Sequence, residues 1–264
     1  MAKPFKYLID LDGTIYRGGV PIKHAKEFIK YLTKNNREFL IVTNCPISNP
    51  TGIVDKLHNM DINVKEENIL TSSHAVGGYL ERELSAKKVY VIGSSALKNI
   101  IQQRNVELVE ENPDAVIVGY TTDFTYEHMK KATHFILAGA TFICTNPDDT
   151  IPDGDTFTPH TGSIAASIIC ATKKHPIIIG KPEKYIVAEA LDRIQSKTDE
   201  CCMIGDRLDT DVLTGLNYGM NSFLVLTGNT TKAMLEKSPI HPTKVFNNLN
   251  ELMIWDQNIV KENL

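Results

Sequence analysis

The chain has 264 residues, 42% of them apolar and 23% charged, with a formal charge of -4. This is the composition of a globular protein with a sizeable core, and its dispersed Lys and Arg form no basic face for a nucleic-acid polymer. No apolar run is long enough to cross a bilayer and no charged, apolar leader opens the sequence, so no membrane partner and a cytoplasmic location are expected.

The first predicted element is a buried strand over residues 5–9, which breaks into Asp10-Leu11-Asp12-Gly13-Thr14. Pro21 then opens a helix with Ile22, Ala25, Ile29 and Leu32 on one face. Apolar runs at 39–42, 89–92, 115–118, 141–144, 177–179, 202–204 and 222–226 predict further strands. Between them lie helical patterns at 126–137 and, behind Pro182, at Val187, Ala190, Leu191 and Ile194. Strand alternating with helix implies an α/β fold with parallel sheets joined by right-handed crossovers. The apolar face of 126–137 can be covered by its own domain or by a second copy in a homodimer; periodicity allows both.

Five cysteines, Cys45, Cys144, Cys170, Cys201 and Cys202, lack the paired spacing of a structural zinc site and read as reduced thiols. Cys144 and Cys170 lie in apolar stretches, where a small buried residue is expected. The histidines, among them His24, His128, His160 and His175, show no metal-like pairing.

Ligands of parallel sheets bind beyond the carboxyl ends of the strands, so polar residues that follow apolar runs are candidates. Four places qualify: Asp10 and Asp12, Thr43-Asn44, Gly180-Lys181-Pro182, and Gly205-Asp206 with Asp211. Two carboxylates as close in sequence as Asp10 and Asp12 repel unless a proton or a hard cation intervenes. Together the four loops hold what hydrolysis of a phosphate monoester requires. Asp10 is suited to nucleophilic attack, and Asp12 to protonating the leaving oxygen and then deprotonating water. Mg²⁺ would take oxygen ligands from Asp10, Asp206 and the Asp12 carbonyl. Thr43, the Asn44 amide and Lys181 would hold the phosphoryl oxygens. Asp211 would orient the metal's waters or Lys181.

These stretches resemble the signature motifs of the haloacid dehalogenase (HAD) superfamily: D-x-D-G-T, a strand-terminal Thr, a Lys, and G-D-x-x-x-T-D. The resemblance spans nearly the whole chain. The long segment between Thr43 and Lys181 is similar in position to the class IIA cap. Gly119-Tyr120 with Phe124-Thr125-Tyr126-Glu127, Thr145-Asn146-Pro147-Asp148, and the run from Gly205 to Asp211 followed by Gly215 resemble the NagD-like, para-nitrophenylphosphatase-type branch. The resemblance implies a Rossmann-like doubly wound parallel-sheet core at 1–75 and 180–264 and an inserted α/β cap at 76–179. It also implies Mg²⁺-dependent dephosphorylation of small phosphorylated metabolites, with Asn146 and Asp148 of the cap selecting the leaving group. Two positions depart from the pattern: Cys45-Pro46-Ile47-Ser48 follows Asn44, with Pro46 lacking an amide donor, and Thr121 stands where relatives often carry an acid.

Other readings fit less well. Dehalogenation needs neither a metal nor Asp12. A signalling receiver is one short domain, without a cap-sized insertion between its Thr and Lys. A retired enzyme kept as a phosphometabolite-binding protein would have no need of the full set of catalytic groups.

Overall fold

The computed structural model describes residues 5–45, 49–153 and 156–262, and the chain forms two compact units. Met1–Thr43, Pro50–Leu70 and Val187–Leu264 belong to the first, Asn44–Asn49 and Thr71–Ile186 to the second.

The first unit is built on a six-stranded sheet in the order Lys244–Phe246, Asn221–Val225, Cys201–Gly205, Lys6–Ile9, Phe39–Thr43, Ile69–Thr71. Lys6–Ile9 pairs in parallel with both Cys201–Gly205 and Phe39–Thr43, and the pairings outward through Asn221–Val225 to Lys244–Phe246 are parallel too. A central parallel strand is covered on both faces, which is why Tyr7, Leu8 and Ile9 are all buried and the sequence there reads as an unbroken apolar run. Helix Ala25–Lys34 turns Phe28, Ile29 and Leu32 into this core, where Trp255 of helix Leu249–Glu262 also packs. One carboxylate lies in this apolar setting: Asp256 accepts hydrogen bonds from the Tyr7 hydroxyl, the Tyr31 hydroxyl at 2.7 Å and the Arg37 guanidinium at 2.8 Å. Burial, then the Asp256 charge and hydrogen bond, push the Tyr7 hydroxyl far above its ordinary pKa, so it stays a donor.

The second unit carries its own parallel sheet of five strands, ordered Ile177–Ile178, Thr141–Cys144, Ala115–Val118, Lys88–Ile92, Glu107–Leu108. Helix Tyr126–Leu137 starts at Thr125, whose hydroxyl accepts the His128 amide, and buries Ala132 and Ile136 against Val116, Val118 and Phe142. Its apolar face is thus covered within its own unit, although Tyr126 and Leu137 at its two ends are exposed. Helix Thr161–Thr172 buries Ile164, Ala165 and Ile168 in the same core.

The fold is the α/β, doubly wound arrangement expected from the alternation of strand and helix. Within the two parallel sheets, three strands were not legible as apolar runs: Ile69–Thr71, Glu107–Leu108 and Lys244–Phe246. Each is two or three residues long, too short for a period to show. The expected burial of Cys170 is corrected: Cys144 is buried but Cys170 is exposed, because two residues past buried Ile168 a helix has turned to its opposite face. All five cysteines are free thiols. Among the described residues, no helix is long and apolar enough to cross a membrane.

Candidate active site

In the first unit the chain leaves Lys6–Ile9 in one direction, to Phe39–Thr43 and Ile69–Thr71, and later fills the other side with Cys201–Gly205, Asn221–Val225 and Lys244–Phe246. The order therefore reverses between Lys6–Ile9 and Cys201–Gly205, and a crevice opens past the carboxyl ends of strands at such a switch. Asp10 and Asp206 are the first residues beyond these two adjacent strands. The Asp10 amide donates to Ile204 O at 2.8 Å, which extends the strand pairing up to the acid itself.

Asp211 joins them. The chain after Asp206 coils through a π-type turn, Leu208–Val212, and Asp211 Oδ2 accepts the Arg207 amide at 3.0 Å. Gly205 makes this return possible, since a Cβ there would lie 2.2 Å from Asp211 Cγ. One carboxylate oxygen from each of Asp10, Asp206 and Asp211 lies within 4.8 Å of the others, and the three residues are only 7%, 0% and 1% exposed. At such separations each pair of ionised acids repels by roughly 3 to 4 kcal/mol, at the effective dielectric that best describes protein sites. A donor set made only of carboxylate oxygens suits a hard divalent cation, which would remove that repulsion. The residues present fit Mg²⁺.

The sequence implies metal ligands from Asp10, Asp206 and the Asp12 backbone carbonyl, with Asp211 orienting the metal's waters or Lys181. The structure gathers Asp10, Asp206 and Asp211, and the Asp12 side chain is exposed. Asp12 is held through its backbone, in a bridge to Tyr16 that closes the turn from Leu11 to Tyr16.

A loop that the sequence reading passed over completes the cradle. Beyond strand Asn221–Val225, Thr227 Oγ1 donates to Gly13 O at 2.9 Å, the Asn229 amide donates to Asp206 Oδ2, and the Thr230 amide donates to Asp206 O at 3.1 Å. Asp206 Oδ2 is wedged between two glycines: a Cβ on Gly13 would lie 2.4 Å from it and one on Gly228 1.9 Å. Thr227 to Thr230 follow the apolar run 222–226, so the strand-end rule that picked out the other four places also pointed here.

The remaining candidates fall as follows. Thr43 ends strand Phe39–Thr43 and is 2% exposed. Asn44 and Lys181, both in the second unit, are joined directly: Lys181 N donates to Asn44 Oδ1 at 2.7 Å, and Asn44 Nδ2 donates to Lys181 O at 3.0 Å. A Cβ on Gly180 would lie 2.5 Å from the same Asn44 oxygen, so only glycine admits this contact. Asn146 is fully buried, with its carboxamide engaged by its neighbours rather than open to a ligand. Asp148 is partly buried, and its amide donates to Asn146 Oδ1 at 3.1 Å. It faces His160, whose pKa burial lowers and Asp148 pulls back up; the imidazole stacks on Tyr120 with ring centres 4.8 Å apart. Thr121 turns its hydroxyl to the Asp123 amide at 3.1 Å, a local turn. Pro46 lies outside the described residues.

Comparison with known proteins identifies the family. Residues 7–107 match the haloacid dehalogenase-like hydrolase family, and residues 178–252 match a related HAD-hydrolase-like family. A dihydroxyacetone phosphatase of Corynebacterium glutamicum is 37% identical over 97% of this chain and 94% of its own. An acid sugar phosphatase of Staphylococcus aureus is 37% identical over 93% of this chain and 95% of its own. Among solved structures, a 4-nitrophenylphosphatase from Thermotoga maritima superposes with a TM-score of 0.89 at 33% identity, covering 94% of this chain and 95% of that one. NagD from E. coli K-12 gives a TM-score of 0.89 at 30% identity, covering 94% and 98%. The chain belongs to the haloacid dehalogenase-like hydrolases, in their NagD-like branch of phosphatases.

Proposed function

We propose that this protein is a Mg²⁺-dependent phosphatase that hydrolyses small phosphate monoesters, foremost phosphorylated sugars and trioses, through an aspartyl phosphate on Asp10. The observation that carries this reading is the buried group of Asp10, Asp206 and Asp211 at the switch point of the sheet. The printed activities of the relatives, dihydroxyacetone phosphatase and acid sugar phosphatase, support the substrate class.

In this reading an Asp10 carboxylate oxygen attacks phosphorus as the ester P–O bond breaks, and the departing alkoxide takes a proton from Asp12. Asp12, now a carboxylate, accepts a proton from water as that water attacks phosphorus; inorganic phosphate leaves and Asp10 is restored. Asp206 and Asp211, with Asp10, hold Mg²⁺, which when bound offsets negative charge on the phosphoryl group. Lys181 adds a second positive charge to the phosphate, and the Thr43 hydroxyl and Asn44 amide donate to its oxygens. Residues 1–75 and 180–264 are assigned to the catalytic core and 76–179 to a cap that meets the leaving group, with Asp148 its selectivity candidate. A retired enzyme acting only as a binding protein is not favoured, because the residues for each step are all present.

The test is phosphate release from para-nitrophenyl phosphate, dihydroxyacetone phosphate and a set of hexose phosphates, with Mg²⁺ and with EDTA. Turnover in Mg²⁺ that EDTA abolishes and added Mg²⁺ restores is expected. Turnover indifferent to EDTA would remove the metal from the account, and silence on every ester would remove the phosphatase.

A further inference from the structure

We propose that Asn146 is a positioning residue for the phosphate-binding lysine, acting through Asn44, and does not select the leaving group. This inference rests on the proposed phosphatase reading only in the role given to Lys181.

The Asn44 carboxamide holds the Lys181 peptide on both sides, taking its N–H at 2.7 Å and donating to its C=O at 3.0 Å. Such a two-way clip fixes the lysine backbone in place and direction, provided that the main chain carrying Asn44 is itself held. Two groups hold it. The Asn44 backbone carbonyl accepts Asn146 Nδ2 at 3.0 Å and Ser72 Oγ at 2.9 Å, which uses both of its lone pairs. Asn146 is pinned in turn: its Nδ2 lies 3.3 Å from Thr161 Oγ1, at the first residue of helix Thr161–Thr172, and its Oδ1 accepts the Asp148 amide at 3.1 Å. Four chain segments, at 44, 72, 145–146 and 180–181, thus meet on one asparagine. Gly180 lets them close, since a Cβ there would meet both Asn44 Oδ1 at 2.5 Å and Thr145 O at 2.8 Å.

Burial decides between the two roles for Asn146. It is 0% exposed, Asn44 is 9% and Lys181 is 2%. A side chain with no exposed surface and its donors and acceptor already engaged has nothing to offer a leaving group. Its effect therefore passes to whatever Asn44 holds, which is Lys181 and hence the phosphoryl group common to every substrate.

The experiment compares wild type, Asn146→Ala and Ser72→Ala. Kinetics are measured on para-nitrophenyl phosphate and dihydroxyacetone phosphate, whose leaving groups share no chemistry, and binding of inorganic phosphate is measured by calorimetry. Asn146→Ala is expected to lower kcat/KM on both esters by the same factor, about tenfold, and to weaken phosphate binding to match, the scale of one buried hydrogen bond. Ser72→Ala removes the other hydrogen bond onto the same carbonyl and leaves less of a hole; a smaller loss with the same equality is expected. It carries the test if Asn146→Ala does not fold. Loss on one ester only, or unchanged phosphate binding, would overturn the proposal. A wild type that turns over no ester yet binds phosphate, more weakly in the variants, would sink the phosphatase reading and leave the positioning role standing. A wild type that neither turns over nor binds phosphate would sink both.

Discussion

Phosphate release by Asp10→Asn is expected to fall on the order of 10⁴-fold or more, the scale at which loss of a covalent nucleophile is felt. The amide keeps the shape of the side chain but is a poor nucleophile and a weaker metal ligand, so chemistry and charge are lost with little change in packing. The same substitution has an opposite effect on stability. Asp10 is one of three buried carboxylates within 4.8 Å of one another, so without a cation its charge works against the fold. In EDTA, Asp10→Asn is expected to melt above wild type, by about 2–4 °C for each kcal/mol of repulsion removed. Added Mg²⁺ should stabilise wild type and leave the variant nearly unmoved. Melting curves with and without Mg²⁺ check this, and they separate a dead active site from an unfolded protein: a variant that lost activity by unfolding would melt lower in EDTA.

The second large effect is expected at the two glycines that enclose Asp206 Oδ2. A methyl group at Gly228 would sit 1.9 Å from that oxygen, and one at Gly13 2.4 Å. Neither neighbour can yield easily, because the oxygen belongs to a fully buried side chain that also accepts the Asn229 amide. Gly228→Ala must therefore push the Asp206 carboxylate out of place, at a cost of about 1–3 kcal/mol in stability for overpacking. Displacing a metal ligand by an ångström is expected to cost about 10²-fold in activity. Gly13→Ala carries a backbone penalty as well, since Gly13 has φ near +88°, a region that costs an L-residue roughly 1–2 kcal/mol. Gly18→Ala separates these effects: φ there is +61° but nothing lies within 4 Å of an added Cβ. It should lose stability and keep its activity. Mg²⁺ binding by calorimetry and denaturant unfolding on all three variants test the argument. Normal Mg²⁺ affinity in Gly228→Ala would mean that the loop after strand Asn221–Val225 does not hold Asp206.

What could be read from the sequence follows from how each feature is encoded. Lys6–Ile9, Cys201–Gly205 and their neighbours are buried on both faces, so they stand out as apolar runs, and Asp10 and Asp206 are found simply by taking the next polar residue. Asp211 was harder to place. Its entry into the carboxylate group depends on a π-type turn at Leu208–Val212 and on the bare Cα of Gly205, and neither leaves a periodic signal. Asn44 was expected to act through its backbone amide. Its side chain clips Lys181, a contact between residues far apart in the chain that no local pattern records. Asn146 illustrates the same limit: the resemblance implies a cap residue that meets the leaving group, and only the fold shows that this asparagine is fully buried with its Nδ2 on the Asn44 backbone carbonyl.

If Asp10 carries the phosphoryl group, stopping the reaction after the first displacement will leave it there. Asp12→Asn with para-nitrophenyl phosphate does so, because para-nitrophenolate departs without a proton from Asp12, whereas water cannot then be activated to release the phosphate. After rapid acid quench and proteolysis, mass spectrometry should find the phosphoryl group on the peptide that contains Asp10, together with a burst of one para-nitrophenolate per protein. A phosphoryl group on another residue, or continued turnover with neither burst nor labelled peptide, would contradict the account.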